Sequence, residues 1–312
     1  MAPTLTHSDL RRLVDRMPPH GYFVGSAVFH YLGPSFAVLL FARVAPVGVA
    51  WMRIASAGLV FALWRRPWRF LSLVGRDSKR SLLELGVVLA VMNSCFYIAI
   101  DRLPLGTVAA IEFLPVILLA ALCVRSLRNG VALTLAAVGV YVLTDVRLTS
   151  EPIGIAFAFA NAALFALYIV LAHRVSRSQA LTGIDGLAAA MLVATVAVTP
   201  IGGYSAAQAI ADPVAIGAGI GVGVASSVIP YVCDQLAMAR LSRATYSLMV
   251  SLLPATATLV GVVVLAQIPS LVELAGVALV VTAVAVHRER LEPRPTADGD
   301  AAIVAATAEG QT

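Results

Sequence analysis

The sequence predicts an all-α membrane protein with ten transmembrane helices, arranged as two inverted five-helix repeats. Three observations predict it. The 312-residue chain is 60% hydrophobic and only 12% charged, whereas a soluble domain is nearer 45–50% apolar and about 25% charged. Its apolar residues fall in runs that match the roughly 20 residues a helix needs to cross a bilayer core. A set of residues in the first half also recurs 138 positions later, the mark of an internal repeat.

Residues 1–20 lack the apolar core of a signal peptide and are expected to form a polar cytoplasmic lead. Ten apolar segments follow: Tyr22–Ala42, Ala45–Trp64, Ser81–Ile100, Leu105–Val124, Val131–Val146, Ile153–Ala172, Ile184–Gly203, Val214–Cys233, Thr245–Ala266 and Leu271–Val286. The fifth and tenth are short, which tilt or local thinning accommodates. Breakers punctuate the turns at Pro46, Pro104-Leu105-Gly106, Pro152, Pro213 and Pro269. Residues 21–147 form the first five-helix repeat and residues 148–287 the second. The Glu-, Pro-, Ala- and Thr-rich tail, 288–312, is expected to be a disordered cytoplasmic extension.

Orientation follows from the Lys/Arg bias. With the N-terminus inside, the inner loops and termini hold 18 of the 22 basic residues, including Arg65, Arg66, Arg69, Arg76, Lys79 and Arg80. Only Arg43, Arg102 and Arg147 fall outside, and Arg53 lies within a span. Both termini are therefore expected in the cytoplasm.

The repeat is carried by Cys95, Ala99, Arg102, Leu103 and Thr107, matched by Cys233, Ala237, Arg240, Leu241 and Thr245. A helix-interior proline follows in each half, Pro115 and Pro254. Five is odd, so the halves insert with opposite topology. A binding region is then expected at their interface, near the bilayer midplane.

This pattern resembles the EamA-type transporters of the drug/metabolite transporter superfamily, and within it most of all the bacterial threonine/homoserine exporters. The stretches that carry the resemblance are MNSCFYIAIDRLPLGTVAAIEFLPVILLAAL, NAALFALYIVLAHR and VIPYVCDQLAMARLSRATYSLMVSLLPATATLVGVVVLAQ. It implies a multi-pass protein of a bacterial cytoplasmic membrane that exports small metabolites, such as amino acids, on an ion gradient and without ATP. The implied alternative cargo is a hydrophobic drug-like or purine-type compound. One departure stands out. Many members carry a glutamate before the proline of the ninth helix and Gly-Glu after that helix. Here Leu253 precedes Pro254, and Ala266-Gln267 stands at the second place.

The candidate substrate-binding and translocation residues are intramembrane polar groups, which are costly in lipid and face a protein interior or cavity. Arg53 and Glu112 lie at matching depth, about 12 Å from the outer face at 1.5 Å per residue. Two readings stand side by side. They form a structural ion pair, or Arg53 holds a substrate carboxylate while Glu112 binds its ammonium or a coupling proton. Asn93 and Tyr97 share one face of the third helix, and Ser227, Tyr231 and Asp234 one face of the eighth. By the 138-residue offset Asn93 corresponds to Tyr231 and Tyr97 to Gln235. Facing walls of one cavity and plain interhelical hydrogen bonding both account for this. Asn161 and Tyr168 share a face of the sixth helix. His30 and Tyr31 sit in mid-span of the first.

Other chemistries are excluded or disfavoured. The glycines at 217, 219, 221 and 223 follow no strand and precede no Lys-Ser/Thr pair, so they suit close helix packing rather than a nucleotide loop. The three cysteines all lie in apolar segments and suggest neither disulfides nor a metal site. Without convergent nucleophile–base or metal-ligand groups, an intramembrane enzyme is not expected. The expected partners are a small-molecule substrate, the lipid bilayer and protons as coupling ion. No cofactor, metal or nucleic acid is expected. Monomer and homodimer fit the sequence equally.

Overall fold

The computed structural model describes residues 18–72, 74–123, 126–148, 150–176, 183–240 and 252–286, and these are helical almost throughout. The expectations for the N-terminal lead and the C-terminal tail fall outside the described residues, apart from the last residues of the lead. So does the first part of the ninth apolar segment. The longer helices are α1 (Pro19–Leu40), α2 (Pro46–Arg65), α3 (Arg76–Arg102), α4 (Leu105–Cys123), α5 (Leu127–Leu148), α6 (Pro152–Ser176), α7 (Gly183–Gln208), α8, α9 (Leu253–Leu265) and α10 (Leu271–Val286). α8 runs from Pro213 to Arg240 and contains a π-helical segment, Val224–Val228.

Prolines begin α1, α2, α6 and α8, where a fixed φ helps and the missing N–H has no helical partner anyway. Six helices (α1, α2, α3, α6, α7 and the stretch Pro213–Cys233 of α8) are long and apolar enough to cross a membrane. α4, α5, α9 and α10 carry shorter apolar stretches. The outward sides of the helices expose large apolar groups such as Leu59 and Leu63 of α2, Val196 of α7, and Leu259 and Val263 of α9.

The helices pair in a regular way. α2 packs on α7, α4 on α9 and α5 on α10, while α1 lies against α8 and α3 against α6. The α5–α10 contact brings backbone to backbone. A Cβ on Gly139 would come within 2.8 Å of the Gly276 carbonyl oxygen, and one on Gly276 within 3.1 Å of the Gly139 carbonyl. Small residues of this kind let helices meet at van der Waals distance where lipid supplies no hydrophobic drive.

Polar locks hold the helix ends. Arg65 pairs with Asp185 at 2.7 Å, joining α2 to the start of α7. At the other end of α2, Arg43 pairs with Asp212 at 2.7 Å. Asp212 also caps α8, its Oδ1 accepting from the N–H groups of Val214 and Ala215 at 2.9 and 3.2 Å. The Arg43 guanidinium hydrogen-bonded to Asp212 holds that carboxyl below the usual carboxylate range, helped by the Ala215 N–H. A carboxylate depressed in the folded state contributes stability above its unfolded pKa, near 3.9, and loses it as pH falls through the folded value. Asp212→Asn is therefore expected to melt below wild type in detergent at neutral pH. The gap should close as pH is lowered beneath the carboxylate range. A gap that persists in acid would show that the pair contributes nothing.

The α9–α10 turn crosses to the other half of the chain. Gln267 Oε1 accepts from the Leu105 N–H at 3.1 Å, satisfying an orphan donor at the start of α4. Three residues on, Ser270 and Glu273 form a capping box: Glu273 Oε2 accepts from the Ser270 N–H at 2.9 Å, and Ser270 Oγ from the Glu273 N–H at 3.2 Å. Ala266, which ends α9 just before Gln267, takes the left-handed conformation, with φ 52°. A Cβ is unfavourable there, and glycine is the residue that suits it. Ala266→Gly is expected to stabilise the protein by about 1 kcal/mol, read as a rise of a few degrees in melting temperature. An unchanged or lower melting temperature would count against strain at this turn.

Candidate translocation site

The polar centre is built from α1, α2, α3, α4, α6 and α8. Arg53, half-buried on α2, reaches across to the π-helical segment of α8. Its Nε donates to Ser227 Oγ at 3.2 Å, and an Nη group donates to the Ser226 carbonyl at 3.3 Å. The sequence takes the usual backbone donor away from that carbonyl. Its α-helical donor would be the N–H of residue 230, and residue 230 is proline. A π segment just ahead of the proline changes the helix register locally, a device frequent at functional sites. Arg53 also stands over the Tyr97 ring, 5.6 Å from Cζ to centroid.

Glu112, on α4, accepts a hydrogen bond from Asn161 Nδ2 on α6 at 3.1 Å. Arg53 and Glu112 do not form an ion pair; their charged groups are more than 4.0 Å apart. They remain within electrostatic reach of each other. Tyr31 and His30 of α1, in edge contact at 5.2 Å between ring centroids, lie within reach of Glu112 and Arg53 respectively. Among the described residues, Arg53 meets no carboxylate partner.

Three buried polar atoms here are left without a hydrogen-bond partner: the Tyr97 hydroxyl, Ser226 Oγ and Asn161 Oδ1. All three residues are essentially inaccessible to solvent. The Tyr97 hydroxyl stands close to Arg53 and Ser226 yet completes no hydrogen bond with either. Orphaned buried polar atoms are rare in native proteins and ask for an explanation.

Three of the other candidates make contacts elsewhere. Asn93 turns back on its own helix, donating to the Leu89 carbonyl at 2.8 Å. Tyr168 stacks on Phe165 at 6.0 Å, one helical turn away. Tyr231 meets Phe61 edge-on at 6.4 Å. Asp234 and Gln235 lie on the described backbone of α8, but their side chains are outside the described part. Ser226 is the residue that the sequence reasoning passed over. Its signal was available, since it lies four residues before a helix-interior proline.

A cleft of about 310 Å³ opens between the α3–α4 and α9–α10 turns, lined by Ile100, Asp101, Arg102, Pro104, Gln267 and Pro269 among others. It lies where the two halves of the chain meet. None of the candidate residues lines it.

Comparison with known proteins bears on what this arrangement serves. Residues 152–287, from the start of α6 to just beyond α10, match the EamA-like transporter family. The second half is EamA-like. The chain is also 28% identical over 254 residues to the threonine/homoserine exporter RhtA of Escherichia coli (strain K12), covering 80% of this chain and 84% of that protein. It is 29% identical over 238 residues to threonine/homoserine exporter RhtA of Salmonella typhimurium (strain LT2), covering 75% and 79%. The EamA-like part supplies Asn161, Ser226 and Ser227 to the polar centre, while Arg53, Tyr97 and Glu112 precede it. The centre thus joins the EamA-like half to the half before it.

Proposed function

We propose that the protein is a secondary active transporter that exports small zwitterionic metabolites, amino acids such as threonine or homoserine, across a bacterial cytoplasmic membrane. One observation carries the reading. Among the described residues, a guanidinium with no carboxylate partner and a carboxylate with a single amide partner sit in one intramembrane centre, near enough to feel each other and too far apart to pair. A zwitterion fills that gap. Its carboxylate takes the fork of Arg53. Its ammonium takes Glu112, with Asn161 Oδ1 as a second acceptor. A hydrophobic or purine-type cargo would be better served by a neutralised pair, so the separation argues against that alternative.

The architecture suited to this task is ten spans in two inverted repeats, 21–147 and 148–287, with both termini in the cytoplasm. The pairings of α2 with α7, α4 with α9 and α5 with α10 support it. Each joins a helix to its counterpart in the other half, as a pseudo-two-fold axis requires. So does the reciprocal relation of α1–α8 to α6–α3. Rocking of the halves about the polar centre gives alternating access without an ATP site. Antiport follows if Glu112 holds either the substrate ammonium or a proton but not both.

The test is transport by everted membrane vesicles. Labelled threonine or homoserine should accumulate when the lumen is acidified, and collapsing the pH gradient should abolish accumulation. An expressing strain should also tolerate toxic threonine analogues but not cationic dyes. Accumulation indifferent to the gradient would remove proton coupling. Resistance to dyes alone would overturn the substrate class.

A further inference from the structure

We infer that Tyr97 and Ser226 form a specificity subsite beside Arg53 that reads an uncharged hydroxyl on the side chain of the transported zwitterion. The inference rests on the transport reading above and concerns groups that reading leaves unused. With Arg53 assigned to the carboxylate and Glu112 and Asn161 to the ammonium, two of the three orphaned polar atoms remain: the Tyr97 hydroxyl and Ser226 Oγ. Both belong to residues almost wholly sequestered from solvent, Tyr97 at 0% and Ser226 at 1% exposure. They come from different halves of the chain and converge on the same guanidinium.

Each hydroxyl has one donor and two acceptor sites, so the pair suits a group that both donates and accepts. A substrate hydroxyl does so without adding charge. A second carboxylate or ammonium would have to be desolvated next to apolar walls. Neighbouring residues fix the pair in place. Phe41 and Phe96 hold the Tyr97 ring edge-on at 6.0 and 5.9 Å. Gly33 of α1 makes room for Ser226, since a Cβ there would collide with the Ser226 side chain and come within 2.8 Å of its backbone nitrogen. A site built to hydrogen-bond a hydroxyl discriminates strongly against the analogue lacking it, because its own polar groups then stay unpaired.

The experiment compares homoserine with 2-aminobutyrate, which has the same backbone and one hydroxyl fewer, in everted vesicles. Wild type should transport homoserine in preference. Tyr97→Phe and Ser226→Ala should each lower kcat/KM for homoserine on the order of tenfold more than kcat/KM for 2-aminobutyrate. Ser226→Ala removes one oxygen without adding bulk, and carries the test if Tyr97→Phe misfolds. Equal losses for both compounds would make the two residues mere supports of Arg53 and overturn the subsite. Unchanged selectivity in folded variants would overturn it too. Wild-type transport of neither compound would overturn the parent reading, and the subsite with it.

Discussion

Arg53→Gln should reduce amino-acid export on the order of 100-fold, equivalent to about 2.7 kcal/mol, while the protein still folds. Glutamine keeps a planar amide that can serve the Ser226 carbonyl or Ser227 Oγ, so the α2–α8 contact retains a donor. What it lacks is a charge to hold the substrate carboxylate where water does not screen it. The loss should fall equally on all amino acids tried, whatever their side chains. Arg53→Lys should recover part of the activity. An ammonium restores the charge but not the two-pronged geometry, nor the flat face over Tyr97. Transport by everted vesicles, beside melting temperature in detergent, separates the outcomes. A variant that melts as wild type does and transports at a tenth or more of its rate would reduce Arg53 to a strut between α2 and α8. The swap of Arg53→Glu with Glu112→Arg is expected to stay inactive, because the two groups do not touch. Rescue by the swap would show a structural pair instead.

Glu112→Gln should be nearly as severe in gradient-driven export, again on the order of 100-fold. Its residual flux should no longer respond to an imposed pH gradient. The amide still accepts from Asn161 Nδ2, so packing between α4 and α6 is kept. It can neither take up a proton nor neutralise the substrate ammonium. Among the described residues, the polar groups facing it from neighbouring helices are Asn161, Tyr31 and Arg53, and none replaces a carboxylate. Gradient-dependent export that survives this change would move the coupling proton elsewhere. Transport at the wild-type rate would remove Glu112 from the binding site as well.

Hydropathy marked where the helices lie, because burial in lipid leaves its trace in every residue of a span. The tenth segment, Leu271–Val286, has the bounds of α10. Polar helix ends were harder to read. α3 begins at Arg76, ahead of the apolar run from Ser81, since its charged first turn has no hydropathy signal. α5 likewise begins at Leu127 behind Ser126, whose Oγ accepts from the Asn129 N–H at 3.2 Å. Position along the helices put Arg53 and Glu112 at matching depth, and the two lie within electrostatic reach of each other. Azimuth was not legible. Which way a side chain turns depends on neighbours supplied by helices far away in sequence. Thus Arg53 meets α8 rather than Glu112, Glu112 meets Asn161, and Asn93 folds back on its own helix. The π segment in α8 also escaped the reading. Val224–Val228 differs from α-helix by register alone, and the sequence hints at it only through Pro230.

Proline at 230 removes the α-helical donor of the Ser226 carbonyl, Arg53 supplies a donor there at 3.3 Å, and this has a cost for any ligand. A substrate that draws both Nη groups toward itself takes this donor away from a residue almost wholly buried. A hydrogen bond from a charged donor is worth about 1.5–3 kcal/mol. If Arg53 holds the cargo's carboxylate as proposed, the α8 backbone acts as a spring against it. It caps affinity, and it pulls the guanidinium home once the cargo leaves. A carrier gains from such recoil, because a centre that grips too well never lets go.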